Sequence, residues 1–393
     1  ELKHSLFKKA LILTLLNLFH SLLMLHFYDP NVTNFQFKLA KGNQLIGGID
    51  GISLWLIILV NLIIPIVILN SWKVIGKKSK AGTTVKNFLI LVLFVNFWSN
   101  AVFFVLDILL FYISFEAILI PVYYLIGFFG SRNKRIEAAQ NMFFIYTLIG
   151  SLFLLLAIVT LYIETGTTDY QILLTVPISN TYQIWLWLGF FIAFAVKTPM
   201  WPFHIWLPLA HGESSTGTSV ILAAILLKLG TFGFLRYSLP LFPYACNYFL
   251  PLVLMLAIIS IIYSCITAIS LIDLKQIVAY SSIAHQNMGL IGIFSNDING
   301  IGGAFLYSIS HGLVSAGLFL LVGMLYDRYH TRNIKYYRGL VLFKPVYILA
   351  LVIFSLSNIS FPLSLGFIAE FMILVSTIEI SPFITILASV VSV

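Results

Sequence analysis

Apolar runs of about twenty residues, broken by short polar connections, dominate the chain from residue 7 to its end. A helix that crosses lipid needs about 20 mostly apolar residues. By that measure the pattern predicts eleven spans, at 7–27, 50–72, 87–106, 108–130, 138–162, 183–207, 215–239, 248–270, 274–295, 298–326 and 345–378. A twelfth begins near 382. Only helices and closed barrels satisfy their own backbone in lipid, and continuous apolar runs of this length are helices. The longest connection, 28–49, contains "NVTNFQFKLAKG" and is expected to form a small hairpin at the membrane surface. Residue 1 is Glu, and the last residues, "ITILASVVSV", stop inside an apolar run, so both ends of a longer protein are expected to be missing. No secretory signal peptide is recognisable at the start.

Composition agrees with the pattern. Of 393 residues, 60% are hydrophobic and only 9% charged, with a mean hydropathy of +1.01. A soluble chain carries about 25% charged residues, so the class is an all-α polytopic membrane protein. The formal charge of +8 reads as membrane orientation rather than nucleic-acid binding, because the basic residues lie in alternate loops. Lys3, Lys8 and Lys9 precede the first span; Lys73, Lys77, Lys78, Lys80 and Lys86 follow the second; Arg132, Lys134 and Arg135 follow the fourth. Arg328, Arg332, Lys335, Arg338 and Lys344 follow the tenth, while the intervening loops hold Glu164, Asp169 and Asp297. Basic loops face the negative, inner side. Cys246 and Cys265, without paired spacing, read as free thiols.

The informative ionisable residues are those inside the spans. Glu116 lies in the fourth, Lys197 in the sixth, Lys228 in the seventh, His285 in the ninth, His311 in the tenth and Glu370 in the eleventh. Each charged group costs about 2.5–3.5 kcal/mol near the centre of a lipid-facing helix. The two acids and two lysines together would cost on the order of 10 kcal/mol, comparable to the whole stability of a domain. They must face one another or water. A lone buried histidine is as often a packing residue as a proton carrier, and a lone Glu–Lys pair can be a static clamp. Two acids, two lysines and two histidines on six spans point instead to a chain of titratable groups. A buried lysine beside a movable partner switches between charged and neutral forms, and histidine titrates near neutrality. Ser281, Ser282, Ser308, Ser310 and Thr231 offer hydroxyls that hold connecting water.

The stretch "FAVKTPMWPFHIWLP" places Pro199 and Pro202 just after Lys197. Proline has no N–H to give the preceding turn, so the helix is expected to break there, with the Ala195 and Thr198 carbonyls released. His204, seven residues after Lys197, shares its face if the helix resumes. The eleventh span repeats the theme, with Pro362 eight residues before Glu370. Two broken spans, five apart in order, suggest two repeats of inverted topology. No nucleotide-binding glycine motif and no cysteine or histidine cluster of metal-binding spacing is present; "GIGG" (300–303) reads as close helix packing, and His204 with His211 as a poor metal pair.

"FAVKTPMWPFHIWLPLAH", Lys228 in "ILLKLG", then "DLKQIVAYSSIAH", "SHGLVSAGLFLLVG" and "GFIAEF" occur in order along the chain. Together they closely resemble the antiporter-like membrane subunits of respiratory complex I, the NADH:ubiquinone oxidoreductase. The resemblance implies a fourteen-helix fold, of which 11–12 helices are present here, with two inverted repeats and two broken helices. It divides the chain into peripheral helices at 1–86, a first half-channel repeat at 87–239, and a C-terminally incomplete second repeat at 248–393. It makes Glu116 and Lys197 a functional pair, Lys228 the central lysine, His285 and His311 linking histidines, and Glu370 the exit-side acid. After His211 the family reads V-E-A-P-T-A-G; this chain reads "GESSTGTS", keeping an acid at Glu213 and losing the proline. The resemblance further implies proton translocation without a redox cofactor or metal in this chain. NADH, FMN, iron–sulfur clusters and ubiquinone are expected on other subunits, and the partners are neighbouring membrane-arm subunits and lipids. The expected location is the mitochondrial inner membrane, with the basic loops in the matrix. The rival readings are a cation/proton antiporter subunit, a plastid NADH dehydrogenase-like subunit, and a scaffold whose buried charges are static clamps.

Overall fold

A computed structural model describes residues 2–41, 44–78, 82–130 and 133–392; Lys80 and Arg132 of the basic loops lie outside the described residues. Among the described residues eight helices are long and apolar enough to cross a membrane: Lys3–Phe27, Gly51–Trp72, Val85–Phe104, Ile108–Phe129, Ile136–Thr165, Thr216–Leu241, Leu250–Ser270 and Ile298–Tyr329. They match eight of the eleven expected spans. The other three differ for identifiable reasons. Leu274–Ile293 is a 20-residue helix, but its own Lys275, Gln276, His285, Gln286 and Asn287 dilute its apolar character. The remaining two are each split into shorter helices.

The first split span runs as Asn180–Lys197, a turn region over 198–205, and Trp206–Glu213. The second runs as Pro345–Asn358, a turn region over 359–364, and Leu365–Ile380. Both breaks fall at the expected prolines. Their backbone is not left open. Met200 N–H donates to the Ala195 carbonyl at 2.9 Å, taking the acceptor that Pro199 cannot serve, and Phe361 N–H donates to the Leu356 carbonyl at 3.0 Å. The Trp206 indole N–H donates to the Val196 carbonyl at 2.9 Å, and the Ser260 hydroxyl accepts from Trp201 N–H at 2.8 Å. Broken backbone survives at membrane depth only when it is satisfied in this way.

The chain packs as two compact units, Glu1–Phe194 with Phe232–Asn247, and Ala195–Thr231 with Tyr248–Val393. In the first unit the connection 28–49 forms the expected hairpin, Gln36–Lys41 antiparallel to Gln44–Ile49. An aromatic cluster fills this unit: Phe111 lies 4.4 Å from Tyr237 between ring centroids, and Phe103 meets Phe232 edge-on at 5.0 Å.

In the second unit the helices Ile298–Tyr329 and Leu365–Ile380 pack closely because glycine removes the obstacle between them. A Cβ on Gly303 would stand 2.9 Å from both the Ala369 carbonyl oxygen and the Met372 Cβ. The "GIGG" stretch therefore serves close packing, as its composition suggests. At one end of the unit, the connections around Asp273 and Asn333 form an antiparallel bridge. Lys275 and Arg332 are both buried there. The Lys275 ammonium donates to the Ser214 carbonyl at 2.6 Å, and the Arg332 guanidinium donates to the Gly212 carbonyl. Cations at the last carbonyls of a helix complement its dipole, so Arg332 has a structural task beyond membrane orientation. Cys246 and Cys265 are free thiols.

Candidate proton-relay site

The helical span that carries Lys228 is not regular. Thr216–Ile221 is followed by a π turn, Leu222–Leu226, then Leu227–Gly233 and a second π turn, Phe234–Ser238. π turns widen a helix locally and disturb the i→i−4 ladder. The first lies directly before Lys228, whose Nζ donates to the Ala223 carbonyl at 3.1 Å. Nothing in the hydropathy pattern announces this local widening.

Lys228 is 1% exposed. Its Nζ lies 2.8 Å from His311 Nδ1, and Gln286 Nε2 stands 3.2 Å from the same ring nitrogen. The His311 and His285 rings follow at 5.6 Å between centroids. His285 Nδ1 is 2.6 Å from the Tyr307 hydroxyl. Glu370 is 4% exposed and lies on Leu365–Ile380, which packs against the helix that carries Tyr307. His311 Nε2 and Glu370 Oε2 are buried and have no hydrogen-bond partner among the described residues. A cavity of about 10 Å³ lies among His285, Tyr307, Ser310, His311, Ser357 and Ser360, near the smallest space that takes a water molecule.

Four of the six candidates thus come together in one unit: Lys228, His311 and His285 in sequence, with Glu370 on a helix packed against that of His311. Lys197 belongs to that unit too and is 1% exposed. It is the last residue of its helix, where a cation faces the negative end of the dipole. His204 does not rejoin its helix face; it sits in the turn region before the helix resumes at Trp206. His211 stacks flat on Phe319 at 4.5 Å. Glu116 lies in the other unit, in the last turn of Ile108–Ala117, one turn after Tyr112, whose phenol it influences.

Of the hydroxyls, Ser310 does line the cavity. Ser281, Ser282 and Thr231 instead bond carbonyls of their own helices three or four residues back. Tyr307 and Ser360 take their place on the cavity wall, and sequence reasoning missed them. Tyr307 was detectable, since it precedes His311 by four residues and so shares its helix face. Arg236 was missed as well. It lies in the Thr216–Leu241 span and forms an ion pair with Asp50 at 2.5 Å, with its guanidinium over the rings of Phe35, Phe232 and Tyr170.

Comparison with known proteins places this geometry. Residues 106–393 match the family model described as NADH:quinone oxidoreductase/Mrp antiporter, transmembrane. "NADH-ubiquinone oxidoreductase chain 4" of Chondrus crispus is 51% identical over 342 residues, covering 87% of this chain and 68% of that protein. The protein of the same description from Arabidopsis thaliana is 48% identical over 386 residues, covering 97% and 77%. A chain in the structure of respiratory complex I from Thermus thermophilus with bound NADH superposes with a TM-score of 0.86 at 30% identity, covering 98% of this chain and 81% of that one. A chain in the structure of the Mrp complex from Dietzia sp. DQ12-45-1b shares the fold, with a TM-score of 0.87 at 19% identity and coverage of 99% and 73%. The chain is therefore a multi-pass integral membrane protein and belongs to the NADH:quinone oxidoreductase/Mrp antiporter transmembrane family.

Proposed function

We propose that this chain is a proton-translocating membrane-arm subunit of an NADH:ubiquinone oxidoreductase, and that it moves protons through buried side chains while the redox cofactors sit on other subunits. The observation that carries the reading is the contact between Lys228 and His311. A lysine this deeply buried needs a partner. Its described partners are a backbone carbonyl and an imidazole, neither of which fixes the positive charge as a carboxylate would. A proton leaving Lys228 Nζ has an acceptor lone pair at His311 Nδ1, 2.8 Å away. From His311 the path continues to His285 and towards Glu370. Glu116 and Lys197 are the groups whose charge state, changed by electron transfer elsewhere, alters the proton affinity of Lys228.

The relatives at 51% and 48% identity support this reading over sodium/proton exchange within the same family. The resemblance to these relatives supports a mitochondrial inner-membrane placement, the alternation of basic loops supports those loops in the matrix, and the two broken helices support a division into two inverted repeats. Neighbouring membrane-arm subunits and lipids are the partners.

The test is the number of protons moved per NADH oxidised, in sealed vesicles carrying the assembled complex, with Lys228 and with Lys228→Met. NADH oxidation with an artificial acceptor measures how much complex is present. Loss of pumping per assembled complex supports the relay; unchanged stoichiometry and turnover overturn it. Proton movement driven by a sodium gradient without NADH would favour the antiporter.

A further inference from the structure

Among the described residues neither His285 nor His311 has a hydrogen bond to Glu370. Three helices meet there: Leu274–Ile293 with His285, Ile298–Tyr329 with His311, and Leu365–Ile380 with Glu370. Gly303 brings the second and third together, since any side chain there would strike the Ala369 carbonyl, next to Glu370. Tyr307 lies four residues after Gly303 and four before His311, so all three share one helix face. It is 3% exposed. Its hydroxyl is 2.6 Å from His285 Nδ1, and it lines the same small cavity as Ser360. Gly366 completes the surroundings: a Cβ on it would sit 3.2 Å from the Ser360 hydroxyl and 3.3 Å from that of Ser310. The absence of that Cβ keeps the small cavity open.

We infer that Tyr307 is a proton-relay residue, the hydroxyl that links His285 to Glu370. The assignment rests on the relay reading of Lys228 and adds a member to it. A phenol both donates and accepts, so it passes a proton without changing its own charge. The oxygen of Tyr307 accepts the proton from His285 Nδ1–H. Its own hydrogen leaves towards the Glu370 carboxylate, directly or through the Ser360 hydroxyl, which in that case gives up its hydrogen as it receives one. His285 loses one proton, Glu370 gains one, and Tyr307 is regenerated once its hydroxyl rotates back to His285. Phenylalanine fills the same space and makes the same ring contact with His285, so the hydroxyl alone is under test.

The experiment compares Tyr307→Phe with Lys228→Met in the same sealed vesicles, counting protons per NADH and normalising by artificial-acceptor activity. The expected result is that Tyr307→Phe falls to the level of Lys228→Met, with the proton-coupled turnover slowed on the order of 10²-fold, the usual worth of a positioned proton-transfer group. If Lys228→Met loses pumping and Tyr307→Phe keeps it, Tyr307 is no link and the relay runs past it. If neither loses pumping, the relay reading itself has failed. Should Tyr307→Phe lower the amount of assembled complex, Tyr307→His and Tyr307→Gln decide the matter. Imidazole carries protons and a side-chain amide does not, so pumping restored by His and not by Gln supports the link. Equal values for the two overturn it.

Discussion

Two buried cations, Arg236 in the first unit and Lys228 in the second, are held in opposite ways. In the first, Arg236 is closed in on every side. Asp50 pairs with it at 2.5 Å, three aromatic rings surround its guanidinium, and Asp50 accepts a further hydrogen bond from Ser53 N–H at 2.9 Å. In the second unit Lys228 meets only neutral acceptors among its described partners. Arginine is effectively always protonated, whereas a buried lysine gives up its proton readily. The first arrangement is a clamp that ties the end of the hairpin to a helix. The second is able to exchange protons because nothing locks its charge. A buried ionisable residue in a membrane helix is thus not by itself a sign of transport; the chemistry of its partners decides.

Breaking the clamp has the largest expected effect on stability. Asp50→Asn leaves Arg236 buried without its counter-ion, a loss of about 3 kcal/mol, at the low end for a buried pair because the Asp50 side chain keeps 25% of its exposure. The yield and thermal midpoint of the assembled complex should fall, while protons per NADH in what assembles stay the same. A changed stoichiometry would place the clamp inside the transport path.

Lys228→Arg sharpens the other side of the comparison. It keeps the positive charge and removes the ability to lose a proton, so a scaffold would tolerate it and a relay would not. Proton-coupled turnover should drop on the order of 10²-fold, as in Lys228→Met, when measured per assembled complex.

Replacing both members of the clamp at once, Asp50→Leu with Arg236→Met, should cost less than Asp50→Asn alone. Apolar substitutes for a complete buried pair are often neutral or stabilising. Thermal midpoints of the single and double variants check this order.

The smallest effect concerns pH. Burial alone would raise the Asp50 carboxyl, but the adjoining Arg236 guanidinium and the Ser53 hydrogen bond outweigh it and hold the group below its ordinary value. A carboxyl depressed in the folded state contributes stability above its unfolded pKa, near 3.9, and loses it as pH falls through the lower folded value. Hydrogen exchange in the strand Gln44–Ile49 should therefore show constant protection from pH 7 down to about 4 and lose it only below. Loss of protection between pH 5 and 7 would mean that another group governs the hairpin.

Much of the fold could be read from local pattern. Apolar run length located the helices, and the prolines at 199, 202 and 362 located both breaks, because lipid and the missing proline N–H act on each stretch of chain separately. The hairpin at 36–49 and the close approach at "GIGG" were legible for the same reason. Glu116, Lys197, Lys228, His285, His311 and Glu370 could be named from their cost in lipid alone, and Arg236 was not.

What sequence did not contain was who faces whom. Hydropathy says that a residue is buried and periodicity says on which side of its helix; neither says which helix lies opposite. Hence nothing in the sequence joins Arg236 to Asp50, far away in the chain, which the structure sets against it. Ser281 and Ser282 looked available until their own backbone carbonyls claimed them. Tyr307 becomes a candidate only because the packing of three helices puts its hydroxyl on His285. The sequence by itself determined the spans, the breaks and most of the costly residues, since those follow from solvent and covalent chemistry along the chain. Tertiary structure alone decided which charges are locked and which can exchange a proton, because that depends on partners brought together by packing from distant parts of the chain.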